Sequence, residues 1–172
     1  MNSKNRNRSS VLSSFSPCSE ITNSQSADKQ VLRVAAAIIV HRGTIFAARR
    51  ASGKQYDGWW EFPGGKIEAG ESAQQCCIRE IKEELNIDID IGEHFYTVDF
   101  AYPEFHLHME CFLCSPVSSL EDIELSQHND YRWLTRDDLY EPKWLPAAFG
   151  PLKKLESQDF WSNTPSLENE GE

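Results

Sequence analysis

The 172-residue sequence lacks any uninterrupted apolar run of the roughly 18–20 residues that a membrane helix needs, so no membrane-spanning helix is expected. Basic residues are scarce: Lys and Arg number 17 against 27 Asp and Glu, a formal net charge of −10. That balance argues against a coat for nucleic-acid polymers, whose phosphates need a basic surface. It leaves a nucleotide substrate open, because a bound divalent cation inverts the charge of a local site. Cysteines are few and odd in number: Cys18, Cys76, Cys77, Cys111 and Cys114. No secretory apolar segment precedes them, so a disulfide scaffold is not expected and a reducing, cytoplasmic setting is. No internal repeat and no partner-protein motif is visible, and a monomer or homodimer is expected.

What is present divides into three parts. Residues 1–30 are rich in Ser and Asn, and Lys4, Arg6 and Arg8 precede the first acid, Glu20. Such a segment buries too little to offset its ordering entropy and reads as a disordered tail, with an organelle address as the alternative. Residues 31–156 form one domain of ordinary size. Residues 157–172 are polar and acidic and read as a second loose tail.

Within the domain, Val31–Val40 is a nearly continuous apolar run, as in a strand buried on both faces. His41-Arg42-Gly43 turns it into Thr44–Arg50. Trp59–Phe62 is short and aromatic, and Pro63-Gly64-Gly65 breaks it into a glycine-rich loop. Ser72–Leu85 is the clearest helix, with Glu71 and Ser72 as cap candidates. Strands follow at Ile87–Ile91, His94–Tyr102, Phe105–Cys114 and Tyr131–Thr135, with Gly92 separating the first two, and a last helix runs over Pro146–Glu156. The mixture predicts an α/β fold with a mixed sheet covered by helices.

On the Ser72–Leu85 helix, Glu80, Glu83 and Glu84 share one arc, beside an apolar arc of Cys77, Ile78, Ile81 and Leu85. Three like charges at that spacing repel, and a hard cation such as Mg²⁺ removes the penalty. The plainer alternative is a solvated acidic face paired with Lys82. Upstream, Gly64 to Glu71 is a glycine-rich stretch that leads into the helix and lets backbone approach a diphosphate, with Lys66 as a nearby cation.

The run Gly65, Glu71, Arg79-Glu80, Ile81, Glu83-Glu84, Asn86, Ile87 resembles the Nudix signature at every position except Asn86, where the family has Gly. Asn tolerates left-handed backbone, so the helix can still end there. Arg49-Arg50, Trp60 to Lys66 and Arg132-Trp133 resemble the MutT-like group of that family, and His106-Leu107-His108 is similar to its CTP pyrophosphohydrolase branch. The resemblance implies the Nudix α/β/α sandwich and hydrolysis of nucleoside triphosphates to the monophosphate and pyrophosphate. Nucleotide-pool sanitation, including 8-oxo-dGTP, is the associated role; a CTP/dCTP preference or a substrate such as ADP-ribose is the alternative. It implies Mg²⁺, or Mn²⁺, held by Glu80, Glu83, Glu84 and the Gly64 carbonyl, with Glu80 also a general-base candidate. Gly65, Glu71 and Arg79 are implied to be structural, and Arg50, Phe62, Lys66 and Tyr102 to contact the nucleotide.

Two positions depart from the pattern. Gln127 stands where the CTP branch has Glu before His, leaving Glu124 or Asp130 as substitutes for that acid. Ala148 stands where relatives place Asn or Asp to read the base edge, and it has no side-chain hydrogen bond to offer. Cys111-x-x-Cys114 invites a zinc reading, but strand alternation puts the two thiols on opposite faces. His106, His108 and Glu110 share a face, either as a solvent-side row or as ligand contacts.

Overall fold

The computed structural model describes residues 29–53 and 55–163. Strand β1 (Val31–His41) is the centre of the molecule. Its apolar run serves both faces: Ala36 and Ile38 join one hydrophobic cluster, and Ala35, Ala37 and Ile39 join the other. β2 (Thr44–Arg50) returns antiparallel through the turn at Arg42-Gly43, where both residues have positive φ. β3 (Trp60–Glu61) extends the sheet beyond β2. β4 (Gly64–Lys66) lies antiparallel on β1, pairing Gly64 with Ala36 and Gly65 with Ala35.

Helix α1 (Ala73–Leu85) follows, then β5 (Ile89–Ala101), β6 (His106–Pro116), β7 (His128–Leu134) and α2 (Phe149–Leu155). The sheet order is β3-β2-β1-β6-β5, with β4 added on β1 and β7 on β2. The β1–β6 pair is parallel and the other pairs are antiparallel, so the sheet is mixed. α1 covers one face through Cys76, Cys77, Ile81 and Leu85, against Phe46, Ala48, Phe112 and Cys114. α2 covers the other through Leu152 and Leu155, with Trp60, Phe62 and Trp144. The result is an α/β/α arrangement with the sheet in the middle. Among the described residues no helix is long and apolar enough to cross a membrane.

Several sequence expectations need correction. Gly64-Gly65 is a strand and not a loop: without a Cβ, Gly64 lies flush against the backbone of Ala35 and Ala36, and Gly65 leaves room for Glu80. The expected break at Gly92 is a register shift inside one continuous strand, β5, whose pairing with β6 shifts between Ile91 and His94 and again before Tyr96. A bulge keeps the chain in the sheet where a turn would leave it. The last helix is shorter than expected, since Pro146–Ala148 forms a 3₁₀ turn ahead of α2. Ile78, expected on the apolar arc, is 47 % exposed.

Contacts continue a few residues past both ends of the 31–156 segment. Gln30 accepts a backbone hydrogen bond from His106, and Lys29 donates to the Tyr102 carbonyl. Asp159–Asn163 forms a 3₁₀ turn, and Trp161 packs into the core with its ring N–H on the Leu155 carbonyl. Most of the two expected tails, residues 1–28 and 164–172, lies outside the described residues. Cys76, Cys77, Cys111 and Cys114 are free and buried. Cys111 and Cys114 belong to opposite clusters across the sheet, which excludes a shared metal.

Candidate active site

Helix α1 begins with a capping box. Ser72 Oγ accepts from the Gln75 N–H, and Gln75 Oε1 accepts from the Ser72 N–H. Glu71 is free of cap duty and turns to Arg79. At the other end Asn86 is left-handed, with φ 58°, and its N–H reaches the Lys82 carbonyl. The next three carbonyls are met by the segment before β7: Ser126 Oγ donates to Glu83 O, Ser126 N to Glu84 O and Glu124 N to Leu85 O. All four carbonyls that a helix end leaves unpaired are therefore satisfied. Lys82 pairs with Asp88 and not with the glutamates.

The three glutamates do not behave alike. Glu80 and Glu84 are 9 % and 5 % exposed, whereas the Glu83 side chain is 56 % exposed. Glu84 Oε2 accepts from the Gly64 N–H at 3.1 Å. Burial pushes the Glu84 carboxyl up to about 7, against the opposing pull of His128 and the Gly64 N–H. Glu61 and Glu80 nearby raise it further.

Arg79 gathers the acidic groups. Its Nε and Nη2 donate to the two oxygens of Glu71 at 2.8 and 3.0 Å, Nη1 donates to Glu80 Oε1 at 2.8 Å, and Nη1 lies 3.4 Å from Glu83 Oε2. Nη2 also reaches the Lys66 carbonyl at 3.1 Å. This pairing holds Glu71 down at about 2 and raises Arg79 above its ordinary value. Among the described residues no three His, Cys, Asp or Glu side chains form a closed metal cage. The donor set nevertheless suits a hard cation: Glu80 and Glu84 are desolvated carboxylates whose charges oppose each other, the condition that a divalent ion relieves.

Two cavities meet at β4. A groove of about 620 Å³ is walled by Glu68, Arg79, Glu80, Glu83, Glu84 and Gln127 together with Gly64, Gly65 and Lys66. A more apolar cavity of about 300 Å³ has Gly64, Gly65 and Lys66 as its wall too. Arg50, Phe62 and Tyr102 line this second cavity, with Glu61 and Ala148. The four expected nucleotide contacts, Arg50, Phe62, Lys66 and Tyr102, are thus together, and the expected cation ligands lie across the same strand.

Other candidates fall elsewhere. Asp130 faces Arg49 at 3.4 Å and accepts from the Tyr131 N–H, and the exposed Glu124 is held through its backbone. Gln127 lines the groove; neither acid does. His108 bonds Asp99 at 2.8 Å and His106 lies 3.8 Å from the same oxygen, and neither histidine lines either cavity.

Two residues that sequence reasoning passed over join the site. Glu61 holds Arg50 Nη1 through both oxygens, at 2.9 and 2.7 Å, and His128 Nε2 donates to Glu61 Oε1 at 3.0 Å. Their adjacency to Trp60 and Gln127 marked the neighbourhood, but no local periodicity predicts a contact between residues 61 and 128.

The mixed sheet lies between helices, with a glycine strand laid beside a carboxylate-bearing helix. Residues 31–155 match the NUDIX domain family, and the chain belongs to that family. It is 37 % identical over 87 residues to the 8-oxo-dGTP diphosphatase of Proteus vulgaris, spanning 50 % of this chain and 78 % of that protein. It is 33 % identical over 110 residues to the CTP pyrophosphohydrolase of Escherichia coli K12, spanning 54 % and 82 %. The crystal structure of a MutT NUDIX hydrolase from Burkholderia pseudomallei aligns with TM-score 0.66 and 26 % identity, covering 74 % of this chain and 99 % of that one.

Proposed function

We propose that this protein is a divalent-cation-dependent pyrophosphohydrolase that cleaves nucleoside triphosphates to the nucleoside monophosphate and pyrophosphate, in nucleotide-pool sanitation. The observation that carries the reading is the shared wall: Gly64, Gly65 and Lys66 bound both the aromatic cavity and the acidic groove. A nucleoside in the first would run its phosphates over β4 into the second, where no Cβ obstructs the backbone.

Glu80, Glu83 and Glu84, with the Gly64 carbonyl, are the groups that would hold Mg²⁺ or Mn²⁺. Such an ion, when bound, would supply positive charge to the anhydride oxygens. Glu80 engages Arg79 through Oε1, so Oε2 is the atom assigned to take a proton from the attacking water. Arg79, braced by Glu71, keeps Glu80 in place and donates to the Lys66 carbonyl. Lys66 meets phosphate, Phe62 and Tyr102 offer ring faces to the base, and Arg50 lies at the base or sugar.

The relatives named above act on 8-oxo-dGTP and on CTP. Ala148 lines the nucleoside cavity without a side-chain donor or acceptor, which favours a CTP-type or broad preference over strict reading of oxidised guanine. The test is a panel of CTP, dCTP, dGTP, 8-oxo-dGTP, ADP-ribose and UDP-glucose with Mg²⁺, following monophosphate and pyrophosphate by chromatography. Triphosphates should lead in kcat/KM, and Glu84→Gln should abolish most turnover. Leading hydrolysis of ADP-ribose, or unchanged turnover in Glu84→Gln, overturns the reading.

A further inference from the structure

His128 is one of three buried polar or charged side chains in the described structure, beside Glu80 and Glu84, and its side chain is 3 % exposed. Because an ionised carboxylate accepts and does not donate, Nε2 carries the proton given to Glu61 Oε1. The other ring nitrogen, Nδ1, is buried without any hydrogen-bond partner. Burial of a polar ring atom unpaired is unfavourable, so packing alone does not favour histidine over an apolar residue here.

The chain on either side of that ring explains its placement. Toward the nucleoside cavity, His128 holds Glu61, Glu61 holds Arg50 through two hydrogen bonds, and Arg50 Nε donates to the Gln55 carbonyl at 3.0 Å. Arg50, Gln55 and Glu61 line the cavity, and His128 does not. Toward the carboxylate helix, residues 124–126 close the end of α1 at Glu83, Glu84 and Leu85. Residues 124–128 therefore form a strap. One end is tied to the backbone of the proposed cation ligands, and the other to the ion pair that shapes the nucleoside cavity.

Resting on the nucleotide reading above, we propose that His128 is a positioning residue for the nucleoside: acting through Glu61, it sets the orientation of Arg50 in the cavity and fixes that cavity relative to the carboxylates of α1. It touches neither the substrate nor the reacting atoms. Without the Nε2–H bond, Glu61 loses one of its anchors and the Arg50 guanidinium is free to turn with it, so nucleoside affinity falls while the chemical step is retained.

The experiment compares the parent protein with His128→Gln, His128→Asn and His128→Leu. Binding of AMP, CMP, GMP and UMP is measured by titration calorimetry without divalent cation, alongside steady-state kinetics on the best triphosphate and Tm. The amide nitrogen of Gln reaches the position of Nε2, whereas that of Asn stops near Nδ1. His128→Asn and His128→Leu should weaken monophosphate binding about tenfold and raise KM similarly, with kcat within about threefold, and His128→Gln should restore affinity to within about threefold. Equal affinities for His128→Gln and His128→Asn, or a fall in kcat at unchanged KM, overturn the proposal. If His128→Leu fails to fold, the Gln-against-Asn comparison decides alone, since both side chains are polar. Failure of the parent protein to bind any monophosphate overturns the nucleotide reading and this inference with it; binding by the parent that is indifferent to position 128 overturns this inference alone.

Discussion

Glu80 occupies the space that a side chain at Gly65 would need: a Cβ there would lie 2.2 Å from Glu80 Cδ. The neighbouring glycine meets a different obstacle. A Cβ on Gly64 would lie 2.2 Å from the Ala35 carbonyl oxygen, and its φ of +150° is unfavourable to other residues. The two positions therefore fail differently. In Gly65→Ala the flexible Glu80 swings away, so kcat should fall about a hundredfold while Tm changes little. In Gly64→Ala the fixed backbone cannot yield, so stability should fall by about 2–4 kcal/mol. Urea unfolding beside initial-rate kinetics on both variants checks the contrast.

Stability without divalent cation should fall as pH rises across the window set by Glu84. Its folded-state carboxyl sits at about 7 against an ordinary 4.5, so between those values the folded protein binds a proton that the unfolded chain releases. Folding is favoured at the acid side of the window and loses on the order of 1–3 kcal/mol toward neutrality. Glu84→Gln carries no such charge and should flatten that part of the profile. Tm against pH in chelator, for both proteins, checks it. Added Mg²⁺ should raise the neutral Tm of the parent more than that of the variant.

Arg79 gives the opposite sign at Glu71. The Glu71 carboxyl is held at about 2, below its ordinary 4.5, so its contribution is present above pH 4.5 and is lost as pH falls toward 2. Arg79→Ala removes the cause. The drop in urea midpoint between pH 6 and pH 3 should be smaller in the variant than in the parent. Activity at neutral pH should fall at least about tenfold, because Glu80 loses its anchor, and Arg79→Lys should not rescue it, since a single ammonium cannot make the forked contact.

The capping box makes a plainer prediction. Ser72→Ala leaves the Gln75 N–H without its partner and should cost about 1 kcal/mol in urea unfolding. kcat should be unchanged, because the cap lies at the far end of α1 from Glu83 and Glu84.

The sequence by itself determined the local elements of the site. The helix from its Ser72 cap to its Asn86 stop, the spacing of Glu80, Glu83 and Glu84, and the two glycines before them follow from short-range rules of capping, period and backbone freedom. The apolar run of β1 was enough to announce a strand covered on both sides. Tertiary structure alone decided the rest. It split the glutamates into two buried and one exposed, turned Gly64-Gly65 into a strand on β1, left Glu124 and Asp130 outside the groove, and brought His128 to Glu61 across 67 positions of chain. These outcomes depend on which long-range pairs the sheet creates. Burial and the fields of distant charges are set by those pairs, and the local pattern of residues does not contain them.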